Sequence, residues 1–95
     1  MFVYILESER NGRYYVGVTS NVKKRLDMHN SGQSKSTAPY APYALKRVEK
    51  YSTSSEAYLR EKFLKSKKSS KIIKLIVESS PDALAEQEAG IPISR

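Results

Sequence analysis

Two short apolar runs open the chain. Phe2-Val3-Tyr4-Ile5-Leu6 is the first, and Tyr14-Tyr15-Val16-Gly17-Val18-Thr19 the second. Both are rich in β-branched and aromatic residues and bounded by polar ones, which predicts strands over residues 2–7 and 13–19. Asn11-Gly12 between them is a strong short-range hairpin signal. A two-residue turn there sets Arg10 opposite Arg13, so that Tyr4 faces Thr19, Leu6 faces Gly17 and Ser8 faces Tyr15. In that register Tyr4, Tyr15 and Gly17 share one face of the sheet, while Val3, Ile5, Val16 and Val18 form the other, which reads as the core face. A glycine between two phenols leaves room for a close approach.

From residue 20 the apolar spacing becomes helical. Ser20 or Asn21 is placed to cap a helix that runs to about Ser31, with Gly32 as its stop. Val22 and Leu26 form its apolar side, and Arg25 and His29, four residues apart, stack beside that stripe. Residues 33–42 read as a polar loop in which Pro39 and Pro42 forbid regular structure. A third strand is predicted over residues 44–51, although Leu45, Val48 and Tyr51 alternate poorly. Ser54 or Ser55 caps a second helix to about Lys67, on which Ala57, Glu61 and Leu64 fall within roughly 60° of one another. A third helix follows over residues 69–79 and Pro81 ends it. Residues 82–89 suit one short helix, and Gly90-Ile91-Pro92 a frayed end. The fold class expected is α/β, a small three-stranded antiparallel sheet flanked by helices. Residues 1–80 would form the functional domain and residues 81–95 a short, partly helical tail.

Composition narrows the partner. The 95 residues carry 17 Lys and Arg against 10 Asp and Glu, a net charge of +7. From Lys62 to Lys74 there are six lysines and no acid. That balance points to a polyanion, most simply nucleic acid. The absence of cysteine excludes disulfides and thiolate metal sites and is compatible with a reducing compartment. No apolar run approaches a membrane span, and the N-terminus does not read as a signal peptide, so a cytoplasmic protein with no membrane partner is the expectation.

Cutting a phosphodiester needs a base for water, a cation for the charge on phosphorus, and a stabiliser for the leaving oxygen. One divalent metal can fill the last role, and one carboxylate can hold a mostly hydrated Mg²⁺. Tyr4, Tyr15, Arg25, His29 and Glu61 are the candidates for these parts. Their order resembles the GIY-YIG endonuclease family. Phe2-Val3-Tyr4 stands at the first family triplet and Tyr15-Val16-Gly17 at the second. Thr19, Arg25, the run His29-Asn30-Ser31-Gly32, Thr37, Pro42, Leu45, Ala57, Glu61, Leu64-Lys65, Lys71 and Leu75-Ile76 extend the similarity over residues 2–76. The chain is similar to the small, single-domain branch of the family, related to the nuclease domain of the excision-repair endonuclease.

The resemblance implies a metal-dependent endonuclease using Mg²⁺ or Mn²⁺ on DNA, branched or damaged, in repair or recombination. It implies Tyr4 as general base with Tyr15 as rival, and Arg25 on the scissile phosphate. His29 would bond a tyrosine hydroxyl or shuttle its proton, Glu61 would be the metal ligand, and Gly17 would allow close packing. Lys23, Lys24, Lys67, Lys68 and Lys71 are the expected phosphate contacts from the basic helices. Two departures stand out: Phe2 replaces a glycine, and Ala38-Pro39-Tyr40-Ala41 lacks arginines found in relatives. The competing reading is a catalytically weak nucleic-acid-binding module, or an accessory domain that recruits a repair partner. For Glu61 alone, an ordinary ion pair with Lys65 is the plainer alternative.

Overall fold

The computed structural model describes residues 1–93. Strands β1 (Phe2–Ser8), β2 (Tyr14–Thr19) and β3 (Tyr43–Lys50) form one antiparallel sheet in the order β2-β1-β3. Helices α1 (Val22–Asn30), α2 (Ser54–Lys65), α3 (Ser70–Val77) and α4 (Ala83–Ala89) complete the α/β architecture expected from the sequence.

β1 lies in the middle and is covered on both sides, which explains its unbroken apolar run. On one face Tyr4, Leu6, Leu45 and Val48 pack with Val22 of α1 and Ala85 of α4. On the other, Val3, Ile5 and Val16 pack with Ala57 and Leu64 of α2 and Ile73 of α3. Both faces are therefore core, and Tyr4 itself is buried rather than projecting from an open face.

The hairpin register differs from the expected one by two residues. Tyr4 pairs with Gly17, Leu6 with Tyr15 and Phe2 with Thr19. The turn is longer because the Ser8 hydroxyl organises it. That buried oxygen accepts from the backbone N–H groups of Arg10 and Asn11. The Ser8 N–H donates to the Arg13 carbonyl and the Gly12 N–H to the Ser8 carbonyl. Gly12 takes a positive φ of 73° whereas Asn11 does not, so the two-residue turn with both central residues left-handed does not form. A slip of two preserves the side-chain period, so Tyr4, Tyr15 and Gly17 still share a face.

The poor alternation of β3 has a local cause. Ile5 pairs with Arg47 but Leu6 pairs with Leu45, so Lys46 is an extra residue in a bulge. It puts Leu45 and Val48, three apart, on the same side. Other boundaries shift modestly. Asn21 caps α1 by accepting from the Lys24 N–H. Thr53, and not Ser54 or Ser55, caps α2 through a reciprocal box with Glu56, and the helix ends at Lys65. Ala38–Tyr40 forms one 3₁₀ turn inside the expected loop, with Pro39 in its first turn, where a missing N–H costs nothing. Beyond Gly90 the chain does not fray at once, because Ile91 and Ile93 pack on the Tyr4 face.

The second face also buries Glu49, which the sequence did not single out. Its carboxylate accepts from Arg47 Nε at 2.7 Å, Arg60 Nε at 2.9 Å, Arg60 Nη2 at 3.1 Å and the Tyr51 hydroxyl at 2.8 Å. Burial alone would raise its pKa, but the hydrogen bonds from Arg60, Arg47 and Tyr51 outweigh it and hold the carboxyl below its ordinary value. The Tyr51 phenol is pushed up to about 12, by burial first and then by Glu49. This network ties β3 to α2 and so fixes the helix that carries Glu61. Because the folded pKa is depressed, the stabilisation is complete above the ordinary carboxylate range and is lost as pH falls through it. Glu49→Gln is expected to lower unfolding stability at pH 7 by about 3 kcal/mol, since two arginines lose their counter-charge. It should also flatten the acid limb of stability against pH, as read by denaturant titration from pH 3 to 7.

Candidate active site

Tyr4 is the centre of the constellation. It projects from β1 beneath α1, and its ring lies across the backbone of Gly17 on β2. A Cβ at position 17 would collide with the Tyr4 hydroxyl and Cζ, so this contact requires glycine. Tyr15, also on β2, places its ring centroid 6.3 Å from that of Tyr4 and 4.8 Å, edge-on, from His29.

α1 brings in Arg25 and His29. Thr19 starts the turn that aims it: its hydroxyl donates to the Asn21 carbonyl and accepts from the Asn21 N–H. At the other end Asn30 clamps the helix to β3, its Oδ1 accepting from the Tyr43 N–H at 2.6 Å and its Nδ2 donating to the Tyr43 carbonyl. Between these anchors His29 is 1% exposed. Its Nε2 lies 3.1 Å from the Tyr4 hydroxyl, and its Nδ1 lies 2.8 Å from Thr37 Oγ1. The Thr37 hydroxyl donates to the Ser34 carbonyl, so its oxygen is left to accept from His29. That assigns the ring proton to Nδ1 and leaves the Nε2 lone pair facing the Tyr4 O–H. Burial first, and then the Arg25 charge, lower the His29 pKa below its ordinary 6.5. The imidazole is neutral and can accept a proton.

Arg25 interacts with the Tyr4 hydroxyl and secondarily with that of Tyr15, and these contacts raise its own pKa. Its Nε is buried with no hydrogen-bond partner. A buried guanidinium donor without a partner is unusual and suits an anionic ligand oxygen. The Tyr4 phenol is raised from 10.0, foremost by burial; Arg25 pulls it down, while Tyr15 and Glu61 push it up. The expectation that Arg25 would favour the phenolate is thus outweighed by desolvation, and Tyr4 is a protonated phenol.

Glu61 reaches this cluster electrostatically from α2, as its effect on Tyr4 records. It is half-buried and pairs with Lys65 at 3.3 Å, so the plainer ion pair is also present. Among the described residues there is no group of three or more His, Cys, Asp or Glu that could hold a metal. A single carboxylate does not suit zinc, but it suits Mg²⁺ or Mn²⁺, which keep most of their water.

The five candidate lysines lie at the surface. Lys24, Lys68 and Lys71 are exposed, and Lys23 pairs with Asp27 at 3.4 Å. Lys67 holds its ammonium 4.5 Å from the Phe63 ring centre. Sequence reasoning gave no role to Thr37 or Asn30, although both stand in the runs that carried the resemblance. A buried threonine in a polar loop announces itself only through its partner.

Comparison with known proteins supports the same region. Residues 1–74 match the family model described as the GIY-YIG catalytic domain. A UPF0213 protein of Streptococcus pneumoniae is 38% identical over 68 residues, 70% of this chain and 68% of that one. A UPF0213 protein of Staphylococcus saprophyticus is 36% identical over 78 residues, 81% of this chain and 94% of that one. The solution NMR structure of a UPF0213 protein from Bacillus halodurans superposes with a TM-score of 0.52 at 26% identity. It covers 96% of this chain and 97% of its own.

Gly17→Ala tests the central contact. The added methyl is expected to displace the Tyr4 phenol from His29 and to cost about 1–3 kcal/mol of stability through overpacking. Denaturant unfolding and the His29 ring ¹⁵N shifts report the two effects. Unchanged shifts would mean that Tyr4 does not depend on the glycine.

Proposed function

The chain belongs to the GIY-YIG family, and on that premise we propose that it is a divalent-metal-dependent endonuclease that hydrolyses DNA phosphodiester bonds. The observation that carries this reading is the Tyr4 hydroxyl set between a neutral His29 Nε2 and Arg25, whose buried Nε lacks a partner.

In this reading Arg25 receives a non-bridging oxygen of the scissile phosphate and neutralises charge as phosphorus becomes five-coordinate. Water approaches in line with the leaving oxygen. Tyr4 takes the water proton as it passes its own proton to His29 Nε2, so the resting phenol need not ionise. The phosphorus–oxygen bond to the leaving group breaks, giving one phosphate terminus and one hydroxyl terminus. Thr37 positions His29 by accepting the Nδ1 proton, and Tyr15 closes one side of the site. Glu61 would hold Mg²⁺ or Mn²⁺, which when bound supplies a Lewis acid for the leaving oxygen and cancels the carboxylate charge that raises Tyr4. Lys23, Lys24, Lys67, Lys68 and Lys71 would contact the phosphate backbone. Branched and damaged DNA, the substrates of repair or recombination, are the first to test. The Glu61–Lys65 ion pair favours the second reading, a binding module with little turnover, because it satisfies the carboxylate without a metal.

Tyr4→Phe keeps the packing ring and removes one oxygen. It is expected to cut single-turnover cleavage by about 10²–10⁴-fold with little change in DNA binding. Glu61→Gln should fold and bind DNA like the parent and lose cleavage. Full cleavage by both variants would leave the binding module as the surviving reading of these residues.

The pH–rate profile separates two bases. With His29 as the acceptor, the rate should be flat above pH 6.5 and fall only on the acid side, because the His29 pKa is lowered. A free phenolate of Tyr4, whose pKa is raised, would instead make the rate climb tenfold per pH unit through pH 7–9.

A further inference from the structure

A recess of about 180 Å³ opens beside the site, between the tip of the β1–β2 hairpin and the loop that follows α1. Resting on the nuclease reading above, we propose that it receives one unstacked nucleobase of the strand being cut, so that the preferred substrate carries an unpaired nucleotide next to the scissile phosphate.

The lining has the chemistry of a base site. Tyr15, Tyr40 and Tyr43 supply aromatic surface, and Tyr40 is 42% exposed. Bases stack on such rings with little regard to sequence. Arg13, exposed, brings a cation for the adjoining phosphate, and no acidic residue lines the recess. Asn11 and Ser36 supply polar groups for a base edge. The Asn11 Oδ1 already accepts from the Arg13 N–H, which turns its amide N–H groups to that task.

The recess is also joined to the chemistry. Tyr15 belongs to both places, with its ring 4.8 Å from that of His29. The Tyr43 ring lies 6.0 Å from the same imidazole. Thr37, the oxygen that holds His29, lines the recess as well. A strand whose phosphate meets Arg25 therefore has an aromatic slot at hand for a neighbouring base. The walls are built in advance. The Ser8 hydroxyl donates to the Tyr40 carbonyl at 2.6 Å, Arg10 donates to the Pro39 carbonyl at 3.3 Å, and the Tyr43 hydroxyl donates to the Thr37 carbonyl at 3.3 Å. A base in an intact duplex is held in its stack, whereas an unpaired one enters at least cost.

The test is a cycle between one base and one ring. Short single-stranded oligonucleotides, each with an abasic residue at one successive position, are titrated in EDTA against the parent and Tyr40→Ala. One abasic position is expected to weaken parent binding by roughly 5- to 100-fold. Tyr40→Ala should weaken the intact strand by a similar factor and add nothing further at that abasic position. Tyr40→Phe, which keeps the ring, should behave as the parent. Losses that multiply independently, or a Tyr40→Ala protein that binds the intact strand like the parent, would overturn the proposal. Cleavage with Mn²⁺ is scored separately. Products without base–ring coupling refute the recess alone, and coupling without products upholds the recess while refuting the nuclease.

Discussion

The Tyr4 phenol occupies the space that a side chain at position 17 would need, and the geometry of the site follows from that exclusion. A tyrosine on the central strand would otherwise have to point straight into the helix covering it. With glycine opposite, the ring can lie across the neighbouring strand and bring its hydroxyl to His29. The imidazole is then fixed from behind by Thr37 and the helix end by Asn30. Each element bounds the freedom of the next. That is how a site with few polar groups can be placed closely enough for proton transfer.

The two faces of the sheet solve opposite electrostatic problems. Glu49 is a buried anion that two arginines and a phenol neutralise within the fold. On the Tyr4 side, Arg25 is a cation among uncharged phenols and a neutral imidazole, and its nearest partners leave Nε unmatched. The first arrangement is complete in itself and reads as structure. The second is complete only with an anion added, and reads as a place where one arrives.

Much of this was legible in the sequence because short-range signals agreed with one another. The apolar runs, Asn21 as cap and the i, i+4 spacing of Arg25 and His29 all carried over. The hairpin register did not, since it depended on a serine hydroxyl folded back into the turn, which no dipeptide rule anticipates. The face assignment survived only because the slip was even. The weak pattern of β3 concealed a bulge, and a bulge is invisible until both strands are paired. Burial was the most consequential omission: it reverses the sign of the Tyr4 shift, and spacing along the chain says nothing about desolvation.

The bulge at Lys46 has a further consequence, for the outer margin of the sheet. β3 is an edge strand, and an edge strand presents backbone donors and acceptors on which another chain can assemble. Here the extra residue breaks the regular spacing that such assembly requires, and Lys46 and Lys50 carry charge along the margin. The Lys50 N–H is taken by the Asp82 carboxylate, and the Lys50 ammonium by Glu88. The sheet is thereby closed against growth on that side, and a protein this small and this rich in short apolar strands avoids becoming the seed of a fibril.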